Sequence, residues 1–222
     1  MKALLIVGAV IIGVVSGLAF GCHLLFDRYS SAPAGTPLPA QFEMQETFLS
    51  KVPFVPMTMQ IVANGQSFGQ VKKSVFTWTP TFTLSDQNGV EQAKARMEAF
   101  TLLTKIDVSD AQGTRIGSLH EQFFGSFLPN RTVYSVLDGA GTEVAVSDKI
   151  DFFGTDIILK DKATGSPVAV LHRGFWNFLR HTWQVSVLQP NVVDIRVIEM
   201  IPAFKTYADH KKSDDDSSKR NK

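Results

Sequence analysis

From Thr58 to Leu188 the chain consists of short runs in which apolar and polar positions alternate, and four of these runs end in the same way. The endings are Phe82-Thr-Leu84-Ser-Asp86-Gln-Asn-Gly89, Ile106-Asp-Val108-Ser-Asp110-Ala-Gln-Gly113, Tyr134-Ser-Val136-Leu-Asp138-Gly-Ala-Gly141 and Ile157-Ile-Leu159-Lys-Asp161-Lys-Ala-Thr-Gly165. In each, apolar side chains stand two and four residues before the Asp, the period of a strand with one buried face. An Asp carboxylate bonds nearby backbone N–H groups and Gly accepts positive φ, so each ending predicts a hairpin turn. The copies recur about 23–28 residues apart, which predicts a sheet built from repeated hairpins.

The return strands follow the glycines: Thr114 to His120, Thr142 to Ser147 and Pro167 to His172. Val90 to Phe100 is rich in helix formers, but the phase of the repeat makes it a strand. Phe123-Phe124-Gly125, Phe152-Phe153-Gly154 and Gly174-Phe175-Trp176 recur between hairpins as aromatic packing units. Upstream, Thr58 to Ala63 with Asn64-Gly65 predicts a first strand and turn, and Val75 to Thr79 continues the alternation up to Pro80, which marks a bulge or an edge. With Thr182 to Leu188 as the last strand, eleven or twelve strands are expected. After Pro190 the period changes. Val192, Val193, Ile195, Val197, Ile198, Met200 and Ile201 point to almost every side of a helix, with Asn191 as its N-cap and Pro202 expected to kink or end it. Such a helix, about ten residues up to the Pro, is too short to span a membrane and belongs inside the protein.

The two ends differ from this centre. Ala3 to Cys22 carries no charge. At about 1.5 Å per residue it is long enough for a bilayer core of ~30 Å. Residues 1–26 are therefore expected to form a transmembrane anchor, with Lys2 placing the N-terminus in the cytoplasm and the rest of the chain on the extracytoplasmic or lumenal side. A cleaved signal sequence, which would leave a secreted protein, and a lipid-modified Cys22 are the alternatives. Residues 27–41 predict a Pro-rich extended linker, residues 42–210 the folded domain, and residues 211–222 a charged, Ser-rich tail without structure.

Composition narrows the chemistry. A single Cys rules out an internal disulfide, so the domain is held by its core, to which 17 Phe contribute. A net charge of +1 argues against a nucleic-acid partner. His120 and His172 occupy equivalent places in two hairpins, yet no ligand spacing accompanies them, and Asp107 with Asp110 or Asp148 with Asp151 lack the oxygen density of a calcium loop. No metal, cofactor or catalytic residue is expected, since neither a phosphate loop nor a nucleophile elbow is present. The basic residues are more informative. Lys72 and Lys73, together with Arg173, Arg180 and His181 around Trp176, combine cations with aromatic rings and are candidates for anionic lipid headgroups. Asn130-Arg131-Thr132 is a glycosylation sequon.

The repeated turns at Asp86, Asp110, Asp138 and Asp161, followed by the apolar segment Asp194 to Phe204, resemble the LURP-one-related domain, a relative of the Tubby C-terminal and phospholipid scramblase domains. The resemblance covers Phe42 to Asp209. It implies a mainly β (α+β) fold, a closed, roughly twelve-stranded antiparallel barrel around a central hydrophobic helix, here Asn191 to about Tyr207. Closure of the sheet and an apolar lumen for an all-apolar helix are physically consistent with that fold. The family is mostly non-enzymatic. Tubby domains bind phosphoinositides through basic residues, scramblases are membrane-associated, and plant members are linked to defence. This chain departs from the family form in its N-terminal apolar stretch and in Pro202. The expected function is a membrane-tethered, non-enzymatic module that scaffolds a membrane-associated protein or binds membrane lipids. A lipid scrambling or transfer protein and a secretory-space hydrolase are the alternatives.

Overall fold

The computed structural model describes residues 29–47, 50, 55–75, 77–98, 105–123, 132–148, 156–174 and 181–220. The expected membrane span lies outside them, and no helix among the described residues is long and apolar enough to cross a membrane. The strands are β1 (Ser30–Ser31), β2 (Gln41–Glu46), β3 (Thr58–Ala63), β4 (Gln66–Lys73), β5 (Thr81–Asp86), β6 (Glu91–Met97) and β7 (Lys105–Asp110). They continue as β8 (Arg115–Phe123), β9 (Thr132–Asp138), β10 (Glu143–Ser147), β11 (Asp156–Asp161), β12 (Pro167–Arg173) and β13 (Thr182–Val187), followed by helix α1 (Ile195–Arg220).

Strands β2 to β13 each pair antiparallel with their neighbours in sequence, and β13 pairs with β2, so twelve strands close into a barrel. Closure removes the open edges that would otherwise invite aggregation. β1 adds a parallel pairing outside the ring, Ser30 to Gln66 and Ser31 to Ser67. It leaves the later part of β4, from Gly69 onward, to pair with β5. At Gly69 φ is +151°, and a Cβ there would stand 2.2 Å from the Ser85 carbonyl oxygen. Only glycine fits this change of partner.

The alternation read from the repeat is the alternation of burial. Phe82, Leu84, Ile106, Val108, Tyr134, Val136, Ile157 and Leu159, the apolar pairs before the four aspartates, are all buried. The turns follow from the carboxylates. Asp86 Oδ1 accepts from the N–H groups of Asn88 at 2.8 Å and Val90 at 2.9 Å. Asp110 Oδ1 accepts from Gln112 at 3.0 Å and Thr114 at 2.8 Å. Asp138 accepts from Thr142 N–H at 2.8 Å and Asp161 from Ala163 N–H at 2.8 Å. The closing glycines, Gly89, Gly113, Gly141 and Gly165, have φ between 71° and 88°. All four turns lie at one end of the barrel.

Helix α1 fills the lumen. Val197, Ile198, Met200, Ile201, Ala203 and Phe204 are buried around its full circumference. It starts at the turn end, where Arg196 Nη1 donates to the Gln92 carbonyl at 3.3 Å, and leaves at the opposite end. Its N-cap is Asp194, whose Oδ1 accepts from Arg196 N–H at 3.0 Å, rather than the expected Asn191. Pro202 lies inside the helix without ending it. Buried neighbours on every side hold the turn that lacks one backbone hydrogen bond. The helix also runs past Tyr207 to Arg220, through the segment whose composition suggests no structure. Extending a helix that is already nucleated costs little per residue.

Three further differences, and one expectation met against local propensity, have local causes. Gln41–Glu46 is a strand that the alternation did not mark, because its third inward position is an acid: Phe42, Met44 and Glu46 are all buried. Lys72 and Lys73 belong to the strand Gln66–Lys73, and the described residues between it and Thr81, 74–75 and 77–80, form a connection rather than a strand, with Trp78 in solvent. The expected linker lies along the wall: Ala32 is buried and its N–H donates to Ser67 at 2.9 Å, and Tyr29 O–H donates to Gln45 at 3.2 Å. Glu91–Met97 is a strand despite its helix-forming residues. Its fully buried residues are Ala93 and Ala95, small because the central helix lies against this strand.

Candidate functional site

At the end where α1 leaves the barrel, three elements far apart in sequence converge. Glu46 closes β2, His181 precedes β13, and His210 projects from α1. The Glu46 N–H donates to the His181 carbonyl at 2.8 Å, which locks the two strand ends together. The Glu46 side chain has no exposure at all, and its Oε2 lies 3.9 Å from His181 Nε2 and 3.6 Å from His210 Nε2. The two imidazole rings are 5.0 Å apart, centre to centre. One coordinating atom from each of the three residues falls within 4.8 Å of the others.

Around this cluster runs a charged network. Arg173, the last residue of β12, donates from Nη1 to Asp209 Oδ2 at 2.7 Å and lies 3.3 Å from His181 Nδ1. Its guanidinium stacks over the Trp183 ring at 4.8 Å, and Trp183 Nε1–H donates to Thr206 Oγ1 at 3.1 Å. Lys205 bonds the other Asp209 oxygen. Burial lowers the His181 pKa to about 4, with Arg173 and His210 adding to the effect and Glu46 opposing it. The imidazole is therefore neutral at physiological pH. Burial works against the Asp209 charge, but Lys205 and Arg173 together hold its carboxyl below the usual range.

The same end carries a second feature. Lys73 lies with its ammonium 4.9 Å over the Tyr207 ring, and burial lowers its pKa. Tyr207 packs edge-on against Phe82 with centroids 5.9 Å apart. Lys72 points outward and is exposed, and Trp78, in the connection that follows, is 99% exposed.

The sequence candidates therefore divide. Lys72, Lys73, Arg173 and His181 lie at one end of the barrel, while Trp176, Arg180 and Asn130 lie outside the described residues. Arg173 is only 11% exposed and engaged by Asp209, so it serves the interior of the rim and is not presented to solvent. His120 and His172 do not form a pair of ligands. His120 Nε2 is 3.2 Å from Ser118 Oγ and His172 Nδ1 is 2.6 Å from Asp156 Oδ1, two separate local pairings. Asp107 faces Lys105 and Arg115, and Asp148 faces Lys160. The turn aspartates use their oxygens on backbone N–H groups. On the outer wall, Gln41, Glu43, Asn64, Gln184 and Ser186 line an open groove of about 500 Å³ beside Tyr29. The cluster of Glu46, His181 and His210 escaped the sequence reading. Its one local signal was an acid at an inward strand position, and the histidines join it only through the closure of β13 on β2.

No family model matches the chain, and no curated protein matches it. Among solved structures, it is similar to a protein from Arabidopsis thaliana, AT5G01750, at 16% identity and a TM-score of 0.46. That match covers 79% of this chain and 99% of the other.

Proposed function

We propose that this chain is a non-enzymatic barrel module of the LURP-one-related kind, tethered to a membrane, whose helix-exit rim rests on an anionic lipid surface. The observation that carries the reading is Trp78, 99% exposed in the connection that follows β4, six residues beyond the exposed Lys72. An indole left wholly in water gains by entering the headgroup layer, and each nearby lysine adds about 1 kcal/mol against an anionic leaflet. Lys73 stiffens the base of this element through its stacking on Tyr207. Arg173 has a different role: it ties β12 to the helix through Asp209.

A non-enzymatic role is supported by the filled lumen. Small-molecule sites are concave and mostly apolar, whereas here the apolar interior is occupied by α1. The N-terminal stretch Ala3 to Cys22 is the tether in this reading, and it holds the rim within reach of the bilayer.

The test is co-sedimentation of the chain from Tyr29 onward with vesicles of phosphatidylcholine alone or mixed with phosphatidylserine. The native domain pellets with the mixed vesicles, and more weakly as salt rises. Trp78→Ala and the double variant Lys72→Ala/Lys73→Ala each reduce pelleting severalfold. Equal pelleting of the native and variant domains would remove lipid docking at this rim, and retention of a membrane protein instead of lipid would favour a scaffolding role.

A further inference from the structure

We propose that Glu46, His181 and His210 form a binding site for a divalent transition-metal ion of the zinc class, which ties the exit end of the central helix to the seam between β2 and β13. The residue types are suited to it: two imidazoles and one carboxylate form an open three-ligand set for zinc, with a fourth position left to water. The spacing is suited as well. A charge-assisted hydrogen bond would bring nitrogen and oxygen to about 2.7–2.9 Å. Two ligand atoms about 2.05 Å from a tetrahedral ion stand about 3.3 Å apart. The Oε2 of Glu46 lies 3.6 and 3.9 Å from the two Nε2 atoms, nearer the second spacing than the first. The third pair, the two imidazole nitrogens, lies within 4.8 Å, and bringing all three pairs to the tetrahedral spacing takes a rotation of the partly exposed His210 side chain toward His181.

The surroundings are those of a built site. The Glu46 side chain is fully buried at the base, His181 is mostly covered, and His210, with 33% of its side chain exposed, forms the entrance. A carboxylate removed from water gains most from a cation placed directly on it. One feature must rearrange. An ion on His181 Nε2 moves the ring proton to Nδ1, which now faces Arg173 Nη1 at 3.3 Å. Arg173 then gives up that contact and retains Asp209, its partner at 2.7 Å. Metal loading is thereby coupled to the Arg173–Asp209 bond that also anchors α1. With a single carboxylate and two nitrogens, the site selects against calcium and magnesium, which demand oxygen-rich shells.

The experiment uses the full chain without an affinity tag, purified in mild detergent and stripped with a chelator. Zinc is titrated against a chromophoric competitor, and cobalt(II) is added separately while visible absorption is recorded. One ion per chain is expected, with intense visible cobalt bands of a tetrahedral site and no response to magnesium or calcium. His210→Gln, at the exposed entrance, weakens zinc at least about tenfold and His210→Asp restores part of the loss, whereas His120→Ala and His172→Ala leave binding unchanged. Absence of tetrahedral cobalt bands in the native chain would overturn the proposal without recourse to any variant. So would zinc affinity that His210→Gln does not alter. The readouts do not depend on lipid, so this proposal and the docking of Trp78 stand or fall separately.

Discussion

The seat of α1 in the barrel is tested most directly at Gly117. This residue lies on β8, where an added Cβ would stand 2.9 Å from Val197 Cγ2 and 2.8 Å from the Leu137 carbonyl oxygen. Gly117→Ala therefore overpacks the interface between helix and wall, at about 1–3 kcal/mol. Val197, 1% exposed, loses two buried methyl groups in Val197→Ala, about 1.6 kcal/mol of transfer energy before any cavity cost. In the double variant the new methyl occupies the space vacated by Val197. Part of each penalty then disappears, while the contact with Leu137 remains. The expected coupling is about 1 kcal/mol in favour of the double variant. Each protein is unfolded in urea at equilibrium with the fluorescence of buried Trp183 as probe, and midpoints are compared at unchanged slope. Additivity within about 0.3–0.5 kcal/mol would refute the reasoning, because residues not in contact add in that way.

Two further outcomes follow from the lumen. Ile198→Asp places a charge where exposure is 0%, and no folded protein is expected; a soluble variant with native near-ultraviolet dichroism would contradict the central position of the helix. Glu199, in the same helix, has its pKa raised from 4.5 to about 8, chiefly by burial, with Asp194 adding to it. The unfolded chain releases this proton first, so stability from this group is complete below about pH 4.5 and falls as pH rises to about 8. Glu199→Gln removes that decline and is the more stable protein at pH 8; parallel pH profiles of the two would show that the carboxyl is not buried.

What was legible in the sequence was legible for local reasons. Asp86, Asp110, Asp138 and Asp161 bond backbone groups two to four residues away, so their turns need nothing from the rest of the fold. The apolar pairs before them point inward because the period of a strand is two. The apolar helix was legible for a similar reason, since residues apolar on all sides have nowhere to go but an interior. The N-cap was misplaced by three residues: Asn191 and Asp194 are both capping residue types, and only the start of packing in the lumen distinguishes them.

Residues whose role is set by distant partners were not legible. Gln41–Glu46 was not marked as a strand, because an acid, Glu46, occupies an inward position, and the reason for it lies 135 residues away at His181 and still further on at His210. Trp78 continued an alternating run, yet the β4–β5 connection leaves it in water. Glu91–Met97 was legible as a strand only through the phase of the repeat, since its inward alanines, which make room for α1, are helix formers by local propensity.

The amino-acid sequence by itself determined the hairpins, their turns and the apolar helix, because hydrogen-bond chemistry and side-chain period act within a few residues. The tertiary structure alone decided which charged and imidazole groups meet at the helix-exit end of the barrel. That depended on β13 pairing with β2 and on the helix leaving beside that seam, which place an acid and two histidines from three separate segments within one ion's reach.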